Sequence, residues 1–303
     1  MANTVNVSGL TDYVNINKDE LFVKATVGAR SLDLVEIMGD VKMKDALQYL
    51  DSEIVLADGS VCGFNPQGSD IFTERYIETK AVKVEKEFCA KDFEKKAANY
   101  QLAWEAGRET LPFEQKIAES NMNAIKEAVE RLVWRGDATI GIDGWLKQAT
   151  GETLVTKVEW ASGSTTIAKV DAMVAAIPAK ALAKGVNLFM SFTDFRNYVA
   201  EQNASCCANR PILDAAAESI KYVGDSRISL VPVSGLELAS SAETSYMLAS
   251  PEDGLVYGTD LEGSENVYRF WFNEDEEKFR FRVLFKAGTA IKHPEEIVLG
   301  YEG

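Results

Sequence analysis

The chain has 303 residues, and its 46% hydrophobic and 26% charged residues are ordinary for a globular protein with one elaborated domain or two smaller ones. Its formal net charge of −15 argues against a general nucleic-acid binder, which needs clustered Lys and Arg to neutralise phosphates. No apolar run is long enough to span a bilayer and residues 1–5 lack the features of a signal peptide, so we expect synthesis and retention in a cytoplasm.

The first part of the chain predicts an extended arm followed by a long loop of strands. Residues 1–50 are mixed and fairly polar, with one short helix predicted at MKDALQYLD, residues 43–51. Residues 53–88 predict two strands around a turn-rich middle, GFNPQGSD. Two strands with a long polar middle are typical of a hairpin-like loop.

The second of these strands, KAVKVEKEF at residues 80–88, alternates apolar and charged side chains. One face takes Val82, Val84 and Phe88, and the other takes Lys83, Glu85 and Glu87. The charged face is too polar to fold back into a core of its own. It therefore lies across another surface or is simply solvated, and the sequence leaves both alternatives open.

The strongest local pattern predicts a long helix in PFEQKIAESNMNAIKEAVERLVWRG, residues 112–136. Its apolar stripe recurs at steps of three and four, with Ala118, Met122, Ile125, Val129 and Leu132. Its polar side carries Glu119, Lys126, Glu127, Glu130 and Arg131. At 1.5 Å per residue the helix is roughly 35 Å long.

The helix runs into a glycine-bearing turn, GDATIGIDG, in which Gly136 and Gly141 have the spacing of a phosphate-binding loop. Such a loop needs Lys and then Ser or Thr directly after its second glycine, and Ile142 and Asp143 stand there instead. The glycines therefore predict a helix exit at Gly136 and a tight turn, and not a nucleotide site.

The central region, residues 150–262, alternates predicted strands and helices. KVDAMVAAIPAKALA is helical with a break near Pro178, and VNLFMSF is a buried strand. Thr193 is placed to cap the helix that continues in DFRNYVAEQ, and RISLVPVSG is another strand. The pattern predicts a small α/β subdomain.

The end of the chain predicts an antiparallel hairpin, with NVYRFWF and KFRFRVLFK flanking a solvated acidic tip at residues 273–277. One face of the second strand takes Phe279, Phe281, Val283 and Phe285, and most of the other takes Lys278, Arg280, Arg282 and Lys286. A basic strip this narrow is expected to pair with nearby carboxylates and not with nucleic acid.

The sequence contains no coherent constellation for catalysis, so we predict no catalytic residue, no cofactor site and no metal ligand. His293 is the single histidine, and Val61 stands where the nucleophile of a G-x-S-x-G elbow would be. The four cysteines lack C-x-x-C spacing and are expected to be ordinary thiols of a reducing compartment. They are Cys62, Cys89, Cys206 and Cys207.

In order and texture the chain resembles the major capsid protein of tailed bacteriophages, the Hong Kong 97-type fold. NAIKEAVERLVWRGDATIGIDGWLKQ resembles the spine helix and glycine-bearing loop of that family, and VYRFWFNEDEEKFRFRVLFKAGTAIKHPEEIVL resembles its closing peripheral strands. LFMSFTDFRNYVAEQ and ISLVPVSGLE resemble parts of its axial domain. The resemblance implies an α+β fold in five segments: an N-terminal arm (1–50), an extended β-loop (51–89), a peripheral domain with the spine helix (90–149), an α/β axial domain (150–262) and peripheral closing strands (263–303).

The resemblance further implies a non-enzymatic shell protein that assembles into pentamers and hexamers around the double-stranded DNA of a tailed phage or prophage. The expected partners are other copies of the chain, a portal protein and a separate scaffold protein, with a decoration protein left open, no specific DNA binding and no membrane. The expected location is the virion, after assembly in the bacterial host cytoplasm. Three alternatives stay open: an encapsulin shell, a cytoplasmic α/β enzyme using carboxylates, and a tail-tube protein.

Overall fold

The computed structural model describes residues 29–56, 68–89, 113–204, 213–214, 219–238, 244–260, 267–273, 275–276 and 278–303. The helices of these residues are α1 (Phe113–Arg135), α2 (Trp145–Gly151), α3 (Thr166–Ala176), α4 (Ala179–Lys184) and α5 (Phe192–Ala204). The strands are β1 (Glu36–Met38), β2 (Lys44–Ile54), β3 (Gly68–Glu78), β4 (Lys80–Cys89), β5 (Gly136–Asp137), β6 (Ile142–Asp143), β7 (Thr156–Trp160), β8 (Val186–Met190), β9 (Leu213–Asp214), β10 (Ser219–Tyr222), β11 (Asp225–Pro232), β12 (Tyr246–Ser250), β13 (Leu255–Thr259), β14 (Val267–Asn273), β15 (Lys278–Ile291) and β16 (Val298–Glu302).

Two large sheets organise the fold. The five-stranded sheet has the order β1-β13-β15-β14, with β4 paired to β15 as well. The seven-stranded sheet has the order β7-β16-β12-β8-β11-β10-β9. Strands β2 and β3 pair only with each other among the described strands, as a two-stranded ribbon. The predicted α+β class is confirmed.

The two sheets exchange strands near the end of the chain. β13 precedes residue 262 yet pairs with β15 in the five-stranded sheet, whereas β16 pairs with β12 and β7 in the seven-stranded sheet. Because the chain crosses from one sheet to the other twice, the sheets are tied together covalently as well as by packing. The domain bounds at residues 149 and 262 stay a prediction.

Helix α1 lies as its apolar periodicity predicts. Met122, Ile125, Val129 and Leu132 are buried in a core shared with β4, β15 and the inner strands β8, β11, β12 and β16 of the seven-stranded sheet. Glu130 is an exception to the predicted polar face, because its side chain is only 3% exposed. The partner that makes this burial tolerable, Ser31, lies 99 residues away in sequence.

Two predictions about strands are wrong, and in both the structure is determined by pairing with residues distant in sequence. Residues 43–51 do not form a helix, because they belong to β2, which pairs antiparallel with β3 from Lys44–Glu78 to Ile54–Gly68. Residues 80–88 do not pair with the first strand of the loop, because they form β4, which pairs with β15. Strand pairing overrides local propensity in both cases.

The central helices show one confirmation and one correction. The break near Pro178 is confirmed, because α3 ends at Ala176 and α4 begins at Ala179. The cap of α5 is Ser191 and not Thr193: the Ser191 hydroxyl accepts a hydrogen bond from the Asp194 backbone N–H at 3.0 Å. Thr193 lies inside the first turn of α5. Within the described part of the chain, no helix is both long and apolar enough to cross a membrane.

Candidate assembly surfaces

The ribbon of β2 and β3 projects from the body of the protein. Each strand has 11 residues, which at about 3.4 Å per residue gives a length of about 35 Å. Residues 68–72 of β3 are all exposed. Because successive residues of a strand point to opposite faces, both faces of the ribbon meet solvent at this end. The far end of the ribbon therefore stands clear of the chain's own core.

This far end carries large apolar side chains. Leu56 is 93% exposed, Ile54 82% and Phe72 81%. In the register of the ribbon, Ile54 pairs with Gly68 and Phe72 pairs with Leu50, so Ile54 and Phe72 share one face. Single exposed apolar residues are ordinary, but several large ones on one projecting element are typical of an interaction surface.

The base of the ribbon is fixed to the five-stranded sheet. Leu47 and Ile77 are buried against Val256 and Ala290. A Cβ on Gly288 of β15 would lie 2.2 Å from the Glu78 carbonyl oxygen. The backbones of β15 and the ribbon are therefore so close at this point that only glycine fits at position 288. The ribbon is therefore fixed to the five-stranded sheet at its base, and its far end is exposed.

Polar and ring contacts orient the same base. The Arg75 guanidinium lies 2.8 Å from the Glu152 carboxylate and donates to the Ile291 carbonyl oxygen at 3.4 Å. The Tyr49 ring packs edge-on against His293, with ring centroids 4.7 Å apart. Burial lowers the pKa of His293, so this histidine is a neutral packing residue of the ribbon base near pH 7.

The outward face of β4, β15 and β14 is a ladder of ion pairs. Arg282 lies 2.6 Å from Glu85, and Lys278 lies 2.6 Å from Glu87, across the β4–β15 pairing. Hydrogen bonds from Lys83 and Arg282 lower the pKa of Glu85, and the one from Lys278 lowers the pKa of Glu87. The prediction that the basic strip pairs with nearby carboxylates is confirmed.

The glycine-bearing turn after α1 is a packed helix exit. Gly136 and Gly141 have φ values of +74° and +78°, which side chains rarely tolerate. A Cβ on Gly136 would lie 2.4 Å from the backbone nitrogen of Gly144, so the two glycines pass back to back. The helix exit at Gly136 is as predicted.

A buried carboxylate joins α1 to residues before β1. The Ser31 hydroxyl and its backbone N–H both donate to the Glu130 carboxylate, and the Trp134 indole N–H donates to the Ser31 hydroxyl oxygen at 2.7 Å. Burial raises the pKa of the Glu130 carboxyl above its usual range, against the opposing effect of the Ser31 hydrogen bonds. This three-residue latch fastens the end of the N-terminal segment to the long helix.

The latch gives a pH prediction. A folded-state pKa above the unfolded value means that stability is fully present below the unfolded pKa and is lost as the pH rises through the folded pKa. We therefore expect the free energy of unfolding of the wild-type chain, relative to Glu130→Gln, to fall as the pH rises above about 4.3, the usual pKa of a glutamate, and through the raised pKa of the folded state. Urea titrations across this range measure it, with Glu127→Gln at an exposed position of α1 as control. A constant difference at every pH would contradict the prediction.

Among the described residues, those considered for chemistry do not come together in a site. Within the described residues, no group of three or more His, Cys, Asp or Glu is arranged to hold a metal ion. The buried Glu296 carboxylate is matched by Lys184, whose ammonium lies 2.7 Å away and also 2.8 Å from Asp253. Cys62, Cys206 and Cys207 lie outside the described residues, and the backbone of Cys89 ends β4.

Comparisons with known proteins connect this architecture to shell-forming proteins. No protein-family model and no curated protein sequence matches the chain. Among solved structures, a chain of the satellite phage P4 procapsid with its size determination protein aligns at a TM-score of 0.58, with 11% identity over 98% of this chain and 97% of that one. The capsid of the empty GTA particle aligns at 0.57, with 12% identity over 92% and 90%.

A cellular shell protein is similar to the same degree. The holo-SrpI encapsulin complex of Synechococcus elongatus aligns at a TM-score of 0.56, with 13% identity over 91% of this chain and 88% of that one. Identities of this size establish a shared fold and nothing finer. The alignments cover nearly the whole of each chain, so the likeness concerns the overall fold. The chain has the Hong Kong 97-type capsid fold, as its sequence predicted.

Proposed function

We propose that this chain is a non-enzymatic structural subunit that assembles with copies of itself into the shell of a tailed phage or prophage. The observation that carries the proposal is the ribbon of a chain that has a capsid fold. The ribbon is fixed to the five-stranded sheet at its base, and its far end exposes Ile54, Leu56 and Phe72. A lone monomer gains nothing from such a segment, whereas a neighbouring copy can cover it. Closed symmetry repeats each contact many times, so modest interfaces add up to a stable shell.

The proposal assigns a role to each segment. Residues 1–50 form the arm, 51–89 the loop that reaches a neighbour, 90–149 and 263–303 the peripheral domain, and 150–262 the axial domain at the five-fold and quasi-six-fold centres. The expected product is a set of pentamers and hexamers enclosing double-stranded DNA without specific binding, located in the virion after assembly in the host cytoplasm. A portal protein and a separate scaffold protein are the expected partners.

The encapsulin alternative is favoured by one observation, the TM-score of 0.56 with the SrpI complex, which is close to those with the phage particles. Negative-stain microscopy of the expressed chain, with and without its neighbouring genes, tests both functions. Polyhedral particles or capsomer rings support a shell protein, and particles that co-purify with a tagged enzyme support the encapsulin. A persistent monomer that turns over a substrate would contradict both.

Assembled particles should separate into monomers under denaturing conditions. The founding member of this fold joins subunits through a lysine–asparagine isopeptide bond near its loop tip, but the predicted tip here, GFNPQGSD, has no lysine. Most of that tip lies outside the described residues, and the nearest downstream lysine, Lys80, stands at the start of β4 beyond the ribbon base. Denaturing electrophoresis of purified particles should show one band at 33.3 kDa. A ladder of covalent multimers would refute the prediction.

A further inference from the structure

The ribbon has an unusual charge. Residues 45–74 hold six acidic residues and no lysine or arginine: Asp45, Asp51, Glu53, Asp58, Asp70 and Glu74. On the face that carries Phe72, the residues two before and two after it are Asp70 and Glu74, and all three side chains are exposed. This face therefore presents an aromatic ring between two carboxylates.

The outward face of β4, β15 and β14 has the complementary chemistry. Its strands carry five cations against two carboxylates in a chain whose net charge is −15, and the acidic tip at residues 274–277 lies at their end. The cations are Lys83, Arg269, Lys278, Arg280 and Arg282, and the carboxylates are Glu85 and Glu87. These strand positions, which we call the ladder face, have an excess of three positive charges.

An aromatic ring lies on the ladder face, on β14, the last strand in the order of the five-stranded sheet. Trp271 is half-buried between the strands, and it stands directly across from Arg280 in the β14–β15 register. The Arg282 guanidinium lies 5.9 Å from the Trp271 ring centroid. Arg269, two residues before Trp271 on the same face, is exposed and makes no ion pair with any described residue. Trp271, Arg280 and Arg282 line a shallow open cavity of about 380 Å³ together with Glu85 and Glu87, and Arg269 lies outside this lining.

The two surfaces cannot be expected to meet within one chain. The ribbon is seated where Gly288 contacts Glu78, at the far end of β15 from Arg280. Eight residues of strand separate Gly288 from Arg280, or about 26 Å. Both faces of residues 68–72 are exposed, so the ribbon covers no described surface of its own chain there.

We propose that the Asp70–Phe72–Glu74 face of the ribbon docks on the ladder face of a second copy, around Arg269 and Trp271. The assignment rests on the proposed shell function and names the surface that receives the ribbon. Opposite charges steer the encounter and set its register, and contact of the Phe72 and Trp271 rings removes apolar area from water. Association through this contact is consequently weakened by salt.

A charge exchange tests the docking surface. Arg269→Glu and Asp70→Arg each place like charges opposite one another, so each should raise the concentration needed for assembly by about tenfold at low salt, a loss of about 1.4 kcal/mol. The chain with both changes restores opposite charges between neighbours and should assemble close to the wild-type concentration. Sedimentation velocity and negative-stain microscopy at roughly 50 and 500 mM salt, where screening is weak and strong, measure the effect.

Two further variants control for other causes. Arg196→Glu changes an exposed arginine on α5 and should leave assembly unchanged. Arg131→Glu changes a residue that lines the apolar groove between α1 and β4. This groove is the alternative surface on which the ribbon of a second copy would dock. The assignment would be overturned if Asp70→Arg restored the assembly of Arg131→Glu but not that of Arg269→Glu. It would also be overturned if Arg269→Glu alone assembled at the wild-type concentration. A wild-type chain that stays monomeric would overturn the proposed function itself, and the docking surface with it.

Discussion

Phe72→Asp should abolish assembly of the chain while leaving its fold intact. The Phe72 side chain is 81% exposed on the projecting ribbon, so it contributes little to the core of the monomer. In a subunit contact the same ring becomes buried, and a central aromatic residue of an interface contributes about 2 kcal/mol or more. That loss corresponds to about a thirtyfold weaker contact, and every copy in a closed shell suffers it.

The measurement separates folding from association. Thermal unfolding and circular dichroism of Phe72→Asp should match the wild type, whereas sedimentation should show only unassembled subunits at concentrations where the wild type forms particles. Leu154→Asp is the matched control, because Leu154 is 58% exposed but lies between α2 and β7, near the base of the ribbon and not at its far end. Particles from Phe72→Asp at the wild-type concentration would show that the ribbon is not an assembly surface.

The long helix and the terminal hairpin could be predicted because their signals are local. The stripe from Met122 to Leu132 follows the helical period, and the alternation from Phe281 to Phe285 follows the strand period. Neither pattern depends on which distant residue lies opposite. The resemblance to capsid proteins was accessible for the same reason, since it rested on the order of these local elements.

The errors lie where partners are distant in sequence. The sequence predicts that residues 80–88 form a hairpin with the first strand of the loop, but β4 pairs with β15, about 200 residues later, where Arg282 contacts Glu85. The helical period predicts that Glu130 lies on the solvated side of α1, because it cannot reveal that Ser31 covers this side chain. The acidic charge of the ribbon can be read from the sequence. The surface of complementary charge becomes visible only from the register of β4, β15 and β14.

Trp134→Ala should destabilise the monomer more than any change on the ribbon, by about 3–5 kcal/mol. The Trp134 ring is fully buried and packs against Trp145 and Phe189, with centroids 5.2 and 5.1 Å away. Its removal leaves a cavity where α1 meets both sheets and deprives the Ser31 hydroxyl of a donor. Trp134→Phe keeps most of the packing and should cost less, which separates the hydrogen bond from the ring.

Gly235 shows why this ring fixes the long helix to the seven-stranded sheet. Gly235 follows β11 in a short 3-10 turn, and a Cβ there would lie 2.2 Å from Trp134 Cδ1 and 2.7 Å from the Glu130 carbonyl oxygen. Gly235→Ala should therefore cost about 1–3 kcal/mol through overpacking. In the Trp134→Ala background the nearer clash is absent, so the same methyl group should cost less, although the Glu130 carbonyl still opposes it.

Urea unfolding of the four chains of this double-mutant cycle measures the coupling. We expect the two changes together to cost less than the sum of the single changes by about 0.5–3 kcal/mol, as for residues in direct contact. Strict additivity would mean that the backbone of α1, and not the Trp134 ring, excludes a side chain at position 235. Coupling would instead establish that one tryptophan sets how closely the long helix and the sheet approach. A ribbon anchored on the five-stranded sheet can reach a neighbour in a repeatable direction only if that spacing is the same in every copy.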